Sequence, residues 1–204
     1  FVMTFPNETL PKGRRQKTTS IYDRLLKKGA VMGDSFGLEN ALWFAKNEKD
    51  AHEEPTFKRS RSHTYIANEI KAVRTAVGAT EIANFAKHEF TGPGARNFLD
   101  YILAGNIPKP GRIVLTPMLT HKGKLYGDLT VACLNENKFM LFGSGAAQEM
   151  HRRWFEKFLP KKGVIYKNKS DDFHGIAISG PNSRKLLSKI CRDDVSNEAF
   201  KFRD

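Results

Sequence analysis

Cysteine is nearly absent from the 204-residue chain; Cys133 and Cys191 are the only two. They share no metal or redox spacing and both sit in apolar company. Two buried, reduced thiols are therefore expected. That fits a bacterial cytoplasm or a mitochondrial matrix and excludes a disulfide framework. No apolar run approaches the ~20 residues that a membrane-spanning helix needs, so no membrane partner is expected. The opening "FVMTFPNETLPKGRRQK" also lacks the apolar centre of a secretory signal. Acid is scarce: 22 Asp and Glu stand against 34 Lys and Arg, a net charge of +12. Such an excess suits nucleic acid, but the basic residues are scattered in short groups ("KGRRQK", "FKRSR", "HRR", "PKKG", "KNK") with no Arg-rich helix or aromatic box. A lysine-rich solvated surface or an anionic small ligand is the expected reading, and nucleic acid is not the expected partner.

Complete cofactor signatures are missing too. None of the six histidines pairs at the i,i+4 spacing of a metal site, and no Cys or carboxylate cluster completes one. Surface or hydrogen-bonded core positions are expected for all six. "FMLFGSGAAQEM" resembles a dinucleotide turn, but its third glycine is replaced by Gln148. A tight strand-to-helix turn that lets a ligand pass close to the backbone is expected there instead.

What is present is periodic. Residues 1–19 read as a tail or linker. "TSIYDRLLKKG" reads as a short helix, 33–45 as a packed irregular segment and 46–62 as a charged loop. "YIANEIKAVRTAVG" places Ile66, Ile70, Val73 and Val77 at helical spacing. Strands follow at "KHEFTG", "RIVLTPML", "KLYGDLTVACL", "KFMLFG", "VIYKN" and "GIAIS", with helices at "ARNFLDYILAG", "AAQEMHRRWFEKFLP" and "NSRKLLSKI". One echo stands out: "GPGARNFLDYI" from Gly92 and "GPNSRKLLSKI" from Gly180, each after a strand. The expected fold is α+β, built from two pseudo-repeated β-α-β-type halves with antiparallel strands.

Against so basic a chain, Asp128 in the middle of "KLYGDLTVAC" is conspicuous, because aspartate is depleted from strands. Alternation puts it on one face with Tyr126, Thr130 and Ala132, leaving Leu125, Leu129, Val131 and Cys133 to the core. A carboxylate beside hydroxyls and a small residue can hold the N–H of a bound heterocycle or accept its proton. An exposed strand aspartate without a role is the alternative.

"YDRLLKKGAVMGDSFGLENALWFA", "NFAKHEFTGPGARNFLDYILAGNIPKPGRIVLTPMLTHKGKLYGDLTV" and "GIAISGPNSRKLLSKI" together resemble the folate-binding half of dimethylglycine and sarcosine dehydrogenases. That half is similar to the aminomethyltransferase (T-protein) of the glycine cleavage system. The resemblance implies that 20–204 form part of an aminomethyltransferase-like domain, whose "Y-x-G-E"-like motif lies beyond "FKFRD". It also implies a tetrahydrofolate site in which Asp128 contacts the folate nitrogen and aids capture of a one-carbon unit as 5,10-methylenetetrahydrofolate. Leu115, Met118, Thr130, Phe142 and Ser144 align with cofactor-binding wall positions. FAD would enter only through a separate flavin-containing dehydrogenase domain or subunit. A non-catalytic folate-binding subunit of the same fold, and an RNA-binding α+β domain, are the alternatives.

Overall fold

The computed structural model describes Thr9 and residues 11–204. The expectation for residues 1–8 and 10 lies outside the described residues. The chain divides into two compact units. One holds Asn84–Phe173 with Asn197–Asp204; the other holds the residues up to Ala83 with His174–Ser196.

The unit around Asn84–Phe173 is a five-stranded antiparallel sheet carrying two helices. Its elements, with labels in whole-chain order, are β4 (Ala86–Thr91), α3 (Ala95–Ile102), β5 (Ile113–Leu119), β6 (Leu125–Asn135), β7 (Lys138–Gly143), α4 (Gln148–Phe158) and β8 (Ile165–Asn168). The strand order is β5-β6-β7-β4-β8. Phe98, Leu99 and Ile102 of α3 and Phe155 of α4 meet Phe90, Leu129, Val131, Phe139 and Leu141 of the sheet in one buried core. Burying each such side chain is worth about 1.5–3 kcal/mol, which fixes the helices to this face.

The other unit comprises α1 (Tyr22–Lys27), β1 (Ala30–Ser35), β2 (Leu38–Phe44), α2 (Ser62–Thr75), β3 (Gly78–Glu81), β9 (Ile176–Ser179) and α5 (Ser183–Leu187). Here the sheet is split into β1-β2 and β3-β9. Residues 33–45, expected to be irregular, form most of the β1-β2 hairpin. Its turn is Phe36-Gly37, both with positive φ (53° and 88°), as a two-residue turn of this hand requires. Phenylalanine is a poor advertisement for that conformation, which is why the turn does not show in the sequence. The end of the expected tail is tied down as well. Arg14 Nε donates to the buried Glu39 carboxylate at 2.7 Å, and Glu39 N–H donates to the Lys17 carbonyl at 2.9 Å. The Arg14 guanidinium holds the Glu39 carboxyl below the usual carboxylate range.

The helix α2 rotates away from its apolar stripe. Ile70 is 50% exposed, whereas Tyr65 stacks on Trp43 at 5.1 Å and Glu69 accepts the Phe44 N–H at 3.0 Å. A polar anchor to a strand end has set the helix face.

The sequence echo is a structural repeat. Gly92 and Gly180 take nearly the same backbone conformation, with φ of 117° and 121°. Two residues on, Gly94 N–H donates to the Gly163 carbonyl and Asn182 N–H to the Ala76 carbonyl, both at 2.9 Å. Those carbonyls lie between a helix and the strand that pairs antiparallel with the strand before each glycine: α2 and β3 for β9, α4 and β8 for β4. A Cβ at Gly92 would stand 2.4 Å from the Gly163 oxygen, and one at Gly180 2.6 Å from that of Ala76. Only glycine fits either turn. The α+β fold of two related halves is thus what forms.

The cysteines do not behave alike. Cys133 is buried in the sheet core, but Cys191, expected to be buried, is exposed. It follows α5 at the surface, where its neighbour Ile190 is itself 67% exposed, so apolar company in sequence did not become apolar company in space. Burial also pushes the Cys133 thiol upward. Titration with a thiol-reactive disulfide reagent is expected to modify Cys191 at once and Cys133 only in denaturant. Immediate modification of both would refute this assignment.

Candidate functional site

Strand β6 has two faces, and the register with its neighbours says what each carries. Leu115 pairs with Thr130, Thr130 with Phe142, and Phe142 with Lys87, giving one row across β5, β6, β7 and β4. In the next row Pro117 pairs with Asp128. These residues alternate with Leu129, Val131 and Leu141, which point to the helices, so the rows lie on the opposite face. There Leu115, Asp128, Thr130, Phe142 and Ser144 line a concavity of about 370 Å³ with Asn84, Phe85, Gly143 and Gly145. Five of the six residues expected at the site are therefore brought together.

Met118 does not join them. It is fully buried in the helix-side core, paired with Gly127. Tyr126 also departs from the expected face. Register shifts at Met118/Leu119, where Met118 pairs with Gly127 and Leu119 with Leu125, leaving Tyr126 as the extra residue. Such a bulge interrupts the alternation. The Tyr126 ring packs on Trp154 of α4, 4.3 Å between centres, and Leu125, expected in the core, is 66% exposed.

Asp128 itself is exposed at the concavity, and among the described residues no side chain bonds its carboxylate. It is not absorbed in holding the fold. The "GSG" turn sits at the same place: β7 ends at Gly143 and a 3₁₀ turn (Gly145–Ala147) leads into α4. A Cβ on Gly145 would lie 1.9 Å from the Asn84 carbonyl. The close approach that demands this glycine is thus made by the chain's own backbone.

Asn84 and Phe85 were not identified from sequence. They immediately precede β4, whose Ala86 pairs with Gly143, so the antiparallel pairing alone carries them to the mouth of the turn. Nothing local in "ANFAK" signals that.

The floor of the concavity rests on a buried imidazole. His151 of α4 fills the space left by two glycines: a Cβ at Gly127 would lie 2.7 Å from its Nε2, and one at Gly143 3.2 Å from its Nδ1. Beside it, His88 is fully buried, with Nδ1 2.9 Å from the Tyr166 hydroxyl. Desolvation, then the neighbouring His151, pushes His88 down to about 4. Burial likewise lowers His151 and raises the Tyr166 phenol, so the hydrogen bond between His88 and Tyr166 joins two neutral groups. The described residues contain no cluster of three or more His, Cys, Asp or Glu placed to hold a metal ion.

Residues 21–204 match the GCVT N-terminal domain family. The chain belongs to this family. Within it, the chain is 34% identical over 205 residues to human mitochondrial dimethylglycine dehydrogenase, covering 98% of this chain and 23% of that protein. It is 29% identical over 186 residues to the aminomethyltransferase of Thermosipho melanesiensis, covering 90% of this chain and 46% of the relative. The chain thus spans about a quarter to a half of the length of these relatives. The glycine cleavage system aminomethyltransferase T of Bartonella henselae superposes with a TM-score of 0.67 at 20% identity, over 85% of this chain and 43% of that one. This GCVT N-terminal domain therefore has the aminomethyltransferase fold, and no helix among its described residues is long and apolar enough to cross a membrane.

Proposed function

We propose that this GCVT N-terminal domain holds tetrahydrofolate in the concavity beside Asp128 and assists its capture of a formaldehyde-level carbon as 5,10-methylenetetrahydrofolate. The observation that carries the reading is the strand register that sets an unbonded carboxylate among Leu115, Thr130, Phe142 and Ser144 in one hollow. Family membership and relatives named aminomethyltransferase and dimethylglycine dehydrogenase support it.

The residues fit such a group. Phe85 and Phe142 offer rings to a flat heterocycle, Thr130 and Ser144 offer hydroxyls, and Leu115, 61% exposed, offers an apolar wall. Tetrahydrofolate, when bound, supplies the nucleophilic nitrogen. The Asp128 carboxylate accepts that nitrogen's N–H, orients its lone pair, and takes up the proton released as the new bond forms. A fixed negative charge also opposes the positive charge that develops there, more strongly once the bound ligand has displaced water. In this reading the carbon comes from an N-methyl group oxidised by a flavin-bearing domain or subunit. The compartment is the mitochondrial matrix or a bacterial cytoplasm.

Calorimetric titration of tetrahydrofolate into the 204-residue chain tests this. Thr130→Trp fills the hollow from a half-exposed position and is expected to cut affinity by about a hundredfold or more with the circular dichroism spectrum unchanged. Equal affinities in the two proteins would end the proposal. Binding without trapping of added formaldehyde would leave a non-catalytic folate-binding domain instead.

A further inference from the structure

The lysine at position 87 of β4 is buried, only 3% exposed. Lysine is almost never buried without a partner, because its ammonium gives up tightly held water. Strand pairing sets Lys87 beside Phe142, at the end of the row that runs from Leu115 through Thr130 on the face of the hollow. Lys87 is not among the residues that line the hollow. Instead its side chain turns back along its own strand, and Nζ donates to the Phe85 carbonyl at 2.7 Å. Phe85 stands one residue outside the ladder, which begins where Ala86 pairs with Gly143. It is 46% exposed and does line the hollow.

We propose that Lys87 is a positioning residue for tetrahydrofolate binding: through this charge-assisted hydrogen bond it fixes Phe85 as a wall of the hollow. The inference rests on the function proposed above. A ring stacks well on a flat ligand when the backbone that carries it is already held; ordering it after the ligand arrives costs affinity. Beyond the end of the ladder, strand pairing no longer supplies that hold. A hydrogen bond from an ammonium to a carbonyl, shielded from water, is one of the stronger tethers a side chain can offer. A methionine would fill much the same space without burying a charge, so what the lysine adds is a charged donor. The backbone of Lys87 is anchored separately. Its N–H donates to Ser170 Oγ at 2.9 Å, and its carbonyl accepts the Lys169 N–H at 2.7 Å. Lys87→Met therefore releases the Phe85 carbonyl while β4 stays in place.

Two measurements on the 204-residue chain test this. The first needs no ligand. A fluorine-labelled phenylalanine replacing Phe85 is expected to give a single narrow fluorine NMR resonance in the parent. In Lys87→Met that resonance is expected to broaden about twofold as the ring samples more positions, with an unchanged circular dichroism spectrum. The second is a double-mutant cycle read as tetrahydrofolate affinity by calorimetry. Lys87→Met and Phe85→Ala are each expected to weaken binding about tenfold, and the double variant no more than either alone, since the lysine acts through Phe85. An unchanged fluorine resonance, an unchanged affinity in Lys87→Met, or losses that add in the double variant would each overturn the proposal. Loss of the folded spectrum in Lys87→Met would show a structural role and overturn it too. A parent chain that bound no tetrahydrofolate would end the function proposed for the hollow and the ligand role of Lys87 with it, and the fluorine resonance would still decide the tether.

Discussion

Asp128→Asn is expected to lower the rate at which the chain forms 5,10-methylenetetrahydrofolate from formaldehyde and tetrahydrofolate by about 10²–10³-fold. Asparagine preserves the volume and one acceptor oxygen. What it removes is the charge and the capacity to take a proton, so the loss should fall on the chemical step. Affinity for tetrahydrofolate should drop less, by about tenfold, the order of one charge-assisted hydrogen bond. Folding should be untouched, because Asp128 is exposed and bonds no other described side chain. Stopped-flow measurement over the uncatalysed background reads both effects. A rate within threefold of the parent chain would show that the carboxylate is a bystander in its hollow.

The second large effect is loss of stability in mild acid. His88 is buried and has its pKa lowered from 6.5 to about 4, first by desolvation and then by His151. In the unfolded chain the imidazole takes a proton near pH 6.5; in the folded chain it resists until about pH 4. Between those values the unfolded state binds more protons, so stability falls as the pH falls. Above pH 6.5 both states are neutral at this site and the contribution is flat. A shift of this size is worth about 3 kcal/mol once pH 4 is reached, a substantial part of a typical domain's stability. Urea unfolding at a series of pH values should show the decline. His88→Asn, which keeps a polar partner for the Tyr166 hydroxyl but does not titrate in this range, should flatten it. An equal decline in both proteins would place the acid sensitivity elsewhere, in the carboxylates or in His151.

Some of this architecture was open to reading from residues alone. The Gly-Pro echo identified two turns that have the same φ and the same hydrogen bond to a crossing carbonyl. The β5–β6 hairpin, β7 and the amphipathic α4 all announce themselves by period. Asp128 could be singled out because a lone acid in a strand of a basic protein is improbable without a cause. Residues whose position depends on a distant element were not legible. Phe36-Gly37 carries no familiar hairpin signal, Cys191 has apolar neighbours in sequence but none that cover it, and the face of α2 is set by Glu69 reaching a strand end.

The amino-acid sequence by itself determined the strands and helices of the five-stranded unit, the two Gly-Pro turns where glycine is obligatory, and that one aspartate stands apart; β1, β2 and β3 did not show in it. Tertiary structure decided which side of the sheet each residue serves. A strand has a period of two, so a single bulge at Tyr126 is enough to carry its ring to the helices and leave Leu125 in water. Met118 fell to the core and Phe85 to the hollow for the same kind of reason: pairing between strands distant in sequence sets the phase, and no local stretch encodes it.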